Sequence, residues 1–128
     1  MDLKEYNEFL TKRPVEVFFE RMEKRGIDIF KVDKVLIAYD NGFWENVKIK
    51  AYKDKEAVYE VCTDSEKEWE LIKTLQRFRD GLEIDLGTKI TQHVKREKGV
   101  TFAKDKGIIF TKDIVTWTID CTNIKYEK

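Results

Sequence analysis

The sequence is poor in the residues most enzymes build their sites from, with one histidine, one proline and two cysteines, and it has no excess charge of either sign. His93 has no cysteine, histidine or carboxylate partners at metal-ligand spacing, so a histidine-built metal centre is not expected. Cys62 and Cys121 are too few for a disulfide framework and too far apart for a redox pair. The six glycines all fall at expected breaks. Gly26 and Gly81 end helices, and Gly42, Gly87, Gly99 and Gly107 lie between strands. None is left to cradle a phosphate, and neither G-x-G-x-x-G nor G-K-[ST] occurs. Lys+Arg and Asp+Glu are both 25, whereas a DNA-coating or polybasic membrane-binding protein usually carries a surplus. No apolar run approaches the roughly 20 residues that span a bilayer. No signal-peptide core follows Met1-Asp2-Leu3-Lys4-Glu5. The expectation is a cytosolic, cytoplasmic protein with no membrane contact, no cofactor and no metal.

What the chain does have is periodicity. Its 128 residues suit a single domain, 1–128, able to bury a core without covalent staples. Asp2 is placed to cap a first helix carrying Leu3, Tyr6, Phe9 and Leu10. Pro14 fits the first turn of a second, over about 13–25, with Val15, Phe18, Phe19 and Met22 as its stripe. Gly26 and Ile27 give it a Schellman-type stop. Val35 to Tyr39, then Asp40-Asn41-Gly42, then Phe43 to Tyr52 reads as a β-hairpin, because Asn-Gly accepts the positive φ of a tight turn. Lys53-Asp54-Lys55 turns the chain into a third strand, about 56–62, with Ala57, Tyr59 and Val61 on one face. Ser65 and Glu68 make a capping box for a central helix whose Leu71, Ile72, Leu75 and Phe78 face inward. That helix is expected to stop at Asp80-Gly81.

Beyond Gly81 the pattern reads as short strands. Leu82, Ile84 and Leu86 alternate, as do Ile90, Gln92 and Val94. Val100 to Ala103, Ile108 to Phe110, and Val115, Trp117 and Ile119 follow, and the end is expected to fray from about Asn123. The predicted class is α+β: a curved antiparallel β-sheet of about six to seven strands, with two N-terminal helices and one central helix packed on it.

Few residues suggest chemistry. His93 could act as a base if Asp85 lay across a hairpin from it, but a surface strand histidine is the simpler reading. Cys62 precedes a helix N-terminus, a position that activates thiols; its alternation with apolar neighbours instead favours a buried, inert side chain. Glu16 with Glu20, and Glu66 with Glu70, are ordinary helix surface. No catalytic residue is assigned.

Surfaces are more suggestive. Tyr39, Asn41, Phe43 and Trp44 gather at the first hairpin's tip, where aromatic anchors can fill a partner's pocket. Lys48, Lys50 and Tyr52 continue the less apolar face from Trp44. With Lys95, Arg96, Lys98, Lys104 and Lys106 around later turns, they offer a second surface for stacking bases and neutralising phosphates. The leading expectation is a non-enzymatic protein-binding module of the inhibitor, immunity or phage-borne accessory (anti-defence) type. The alternatives are a single-stranded nucleic-acid binder and a pocket protein, and a homodimer is a further candidate assembly. The order helices, hairpin, helix, strands resembles the NTF2-like cone fold, in topology alone. The third strand before the central helix departs from it. That resemblance implies a small-molecule pocket between helix and concave sheet.

Overall fold

The computed structural model describes residues 2–40, 46–103 and 106–126; the side chains of 65 and 99–110 lie outside that description. The architecture is α+β. Helices α1 (Leu3–Thr11) and α2 (Pro14–Lys24) precede strands β1 (Lys34–Asp40), β2 (Val47–Lys53) and β3 (Glu56–Thr63). Helices α3 (Ser65–Arg77) and α4 (Arg79–Leu86) follow, then β4 (Ile90–Ala103) and β5 (Lys106–Asp120). The strands form one antiparallel sheet of five in the order β3-β2-β1-β5-β4.

The N-terminal half follows local rules closely. Asp2 caps α1 by accepting from Glu5 N–H at 2.8 Å. Pro14 opens α2, where its missing N–H costs nothing. Gly26 takes a φ of 74°, and Ile27 N–H reaches back to the Met22 carbonyl at 2.9 Å, closing the Schellman stop. The turn at Asp54 and Lys55 uses two left-handed residues, with φ of 52° and 68°, as a two-residue hairpin turn requires. Asp33 holds it by accepting from Asp54 N–H at 2.8 Å.

One face of the sheet carries the core. Val35, Ile37, Tyr39, Val47, Ile49, Ala51, Val115, Trp117 and Ile119 are all buried. They lie against Phe18 and Met22 of α2, Leu71, Ile72 and Leu75 of α3, and Leu82 and Leu86 of α4. Phe9 brings α1 in, edge-on to Trp69 at 5.2 Å.

Several expectations are corrected. Residues 82–86 form a helix, not a strand: Leu82 and Leu86 are buried one turn apart while Ile84 is 79% exposed, which alternation cannot produce. Gly81 lies inside α4, and the left-handed stop is Gly87, at φ 68°. The four short strands expected after residue 89 are two long ones, so among the described residues the sheet has five strands. Asp64, not Ser65, caps α3, accepting from Lys67 N–H at 3.0 Å. The register slips between Ala51 and Tyr52, a bulge at Val58 that takes Ala57 off the face shared by Tyr59 and Val61. The C-terminus is docked through residue 126: Lys125 N–H bonds the Leu86 carbonyl at 2.8 Å, and Tyr126 packs on Phe19 at 5.1 Å.

Candidate functional site

Two features stand out from this frame. The first is a cleft of about 380 Å³ between the α3–α4 junction and the β1–β5–β4 side of the sheet. Its base is a polar cluster set into the core. Tyr39 and Trp117 face the helices because they share parity with Val35 and Ile37, and with Val115 and Ile119. A buried tyrosine or tryptophan must still satisfy its polar atom. Here the two satisfy each other, Trp117 Nε1–H donating to the Tyr39 hydroxyl at 3.1 Å. Gln76 Nε2–H, from the last turn of α3, donates to the same oxygen at 3.0 Å. The Arg79 guanidinium lies 5.5 Å from the centre of the Trp117 ring, within cation–π range. Arg77, Asp80 and Gln92 add to the polar lining.

The second feature is the far end of the β4–β5 hairpin. β1 pairs with β5 only as far as Asp40↔Ile114. β4 and β5 continue from Arg96↔Asp113 to Ala103↔Lys106, roughly 27 Å at about 3.4 Å per residue. Among the described residues no third strand joins this ribbon. Arg96 Nε–H donates to Asp113 at 3.0 Å across it, which raises the Arg96 pKa. Val100 pairs with Ile109, and Gly99 with Phe110.

The residues singled out from sequence are dispersed by the fold. Tyr39 is no surface anchor: it is 2% exposed and its hydroxyl belongs to the cleft. Asn41, Phe43 and Trp44 lie outside the described residues. Lys48 is exposed on the open face of the sheet, Lys50 pairs with Glu60 at 3.6 Å, and the Tyr52 ring sits 4.9 Å beneath the Lys34 ammonium. Lys95 lies 3.9 Å from Glu97, and Lys98 is exposed. Lys104 lies outside the described residues, and Lys106 is described only by its backbone pairing with Ala103. His93 stands opposite Thr116 on β4. Its supposed partner Asp85 is on α4, bonded to Arg13 at 2.8 Å, so the His93–Asp85 pair does not form. Cys62 is exposed rather than buried, since Val61 takes the inward position beside it.

Sequence reading missed Trp117, Gln76, Arg77, Arg79 and Gln92 as a group. Trp117 and Gln92 entered only through strand alternation. The available signal was the need of two inward aromatic residues for a polar partner. Among the described residues, no group of three or more His, Cys, Asp or Glu side chains could hold a metal ion, and no helix is long and apolar enough to cross a membrane. No protein-family model, curated protein or solved structure matches the chain.

Proposed function

We propose that this chain is a non-enzymatic binding module whose β4–β5 ribbon docks into a partner protein. The observation that carries this reading is the continuation of two strands beyond the sheet with apolar sequence at their far end. A two-stranded ribbon is marginal in water without a covering layer. This one holds Val100, Phe102, Ile108, Ile109 and Phe110 between residues 100 and 110. Such residues are stabilised when a partner covers them, and phenylalanine is a common interface anchor. Residues 95–113 carry six basic side chains and three acidic ones. The complementary partner is therefore a protein with an apolar groove and an acidic rim.

A tagged chain and a shortened variant, with residues 99–110 replaced by Asn-Gly, test this side by side. Lys98↔Thr111 then closes the hairpin with a two-residue turn. Among the described residues the core of β5 begins at Val115, so both chains are expected to unfold at the same temperature. The expected result is one stoichiometric protein, retained in high salt by the full chain and lost by the variant. Equal capture by both chains would overturn the ribbon as interface. Concentration-dependent dimerisation lost on shortening would replace the partner with a second copy. Nucleic acid released as salt rises would replace it with a polyanion.

A further inference from the structure

The protein-docking reading leaves the cleft over Trp117 without a role, and its hydrogen-bond accounting is incomplete. The Tyr39 hydroxyl accepts twice, from Trp117 Nε1–H and Gln76 Nε2–H. A tyrosine hydroxyl also has a hydrogen to donate, and among the described residues none accepts it. The side chain is almost fully buried, and the residue lines the cleft. Two guanidinium-bearing residues, Arg77 and Arg79, line the same cleft, with Asp80 as its acidic member. Arg79 is loosely tied: Asp80, itself well exposed, stands 3.9 Å from its Nε, and the Arg79 side chain is half-exposed. Phe78 sits at the N-cap of α4, where it supplies no side-chain acceptor to the first-turn N–H groups. Among the described residues, the cleft thus sets a phenol O–H and two guanidinium forks against one carboxylate, Asp80, with Gln76 and Gln92 offering an amide N–H and an amide oxygen each. Such a set matches an oxyanion, which is all acceptor and which arginine grips with paired N–H bonds.

We propose that this cleft binds a small organic or inorganic oxyanion, a carboxylate or a phosphate, gripped by Arg79 and Arg77 and accepting the Tyr39 hydroxyl hydrogen. The Trp117 indole N–H, bonded directly to the Tyr39 oxygen, reports on a ligand bound there.

The test is a titration of the ¹⁵N-labelled full chain with citrate, and separately with inorganic phosphate, at constant ionic strength. The Trp117 indole N–H resonance is followed, assigned by its loss in Trp117→Phe. The expected result is a saturable shift complete by about 10 mM, tenfold above a millimolar Kd. Arg79→Ala, a change at a half-exposed side chain that leaves the core intact, should weaken it about tenfold or more. Saturation by citrate alone assigns the site to carboxylates, by phosphate alone to phosphates, and by both to the shared chemistry. The absence of saturation with either anion would overturn the proposal. So would an unchanged titration in an Arg77→Ala, Arg79→Ala double variant. Neither result bears on the ribbon, whose test reads a different surface.

Discussion

Parity along a strand decided more than nearness to a turn. Tyr39 is one residue from the end of β1, yet it shares parity with Val35 and Ile37, and the core takes it. The same rule separates the two thiols. Cys62 alternates with the inward Val61 and is exposed on the open face. Cys121 follows Ile119 into the core and is buried. Burial pushes the Cys121 thiol up to about 12 from 9.0, because a thiolate is poorly solvated there. A water-soluble thiol reagent at pH 8 should therefore modify one cysteine per native chain, Cys62, and two after denaturation. The alkaline limb follows from the same shift. The folded chain keeps the Cys121 proton longer than the unfolded chain does. Its contribution is whole below pH 9.0 and is lost as pH rises toward about 12. In urea titrations over that range the wild type should lose stability more steeply than Cys121→Ala. Parallel curves, or two native thiols labelled, would show Cys121 to be solvated.

At the scale of elements, the described part of the first 63 residues was legible because its boundaries had their own local chemistry: Asp2, Pro14, Gly26 and the two-residue turn before β3. The second half was less so. Leu82-Glu83-Ile84-Asp85-Leu86 satisfies both a period of two and an i, i+4 pair, and five residues cannot separate them. The polar run Arg96-Glu97-Lys98-Gly99 reads as a turn. In the fold it is mid-strand, with Arg96 opposite Asp113 and Glu97 opposite Lys112, cross-strand pairs of opposite charge that favour the ladder. The cleft escaped notice because it joins residues 39, 76, 79, 92 and 117, which only the strand order brings together. The glycines test the helical assignment of 79–86. A methyl group on Gly81 would meet Pro14 Cγ at 3.7 Å, ordinary contact. Gly81→Ala should thus stabilise by about 0.5–1 kcal/mol, the usual cost of an interior helix glycine. At Gly87 the φ of 68° is left-handed, and a methyl would fall 2.9 Å from the Lys125 side chain. Gly87→Ala should cost about 1–2 kcal/mol. Chemical denaturation of both variants checks the pair, and a loss on Gly81→Ala would contradict a helix there.

At the scale of the whole molecule, the N-terminal helices are tied to the rest of the fold by a carboxylate that sequence reading assigned to a local cap. Glu68 is fully buried in the first turn of α3, a costly place for an ion unless it is paired and hydrogen-bonded. Asp64 does the capping, which leaves Glu68 for α2. Arg21 and Arg25 stand one turn apart, and both reach it: Arg21 Nη2–H donates at 2.9 Å and Arg25 Nε–H at 2.7 Å. Arg21 also donates to the Lys67 carbonyl at 2.6 Å, and Arg25 to Thr63 Oγ1 at 3.1 Å. The cluster therefore locks α2 to the end of β3 and the start of α3, the seam between the N-terminal helices and the rest of the fold. Removing one member of a buried pair leaves the others desolvated and uncompensated. Glu68→Ala should lower global stability by about 3–5 kcal/mol, seen as a reduced urea midpoint with an unchanged slope. Ion pairs at the surface contribute about 1 kcal/mol or less. A loss of that size would mean that water reaches Arg21 and Arg25, and that the apolar contacts of Phe18 and Met22 with the sheet hold α2 in place without the ionic seam.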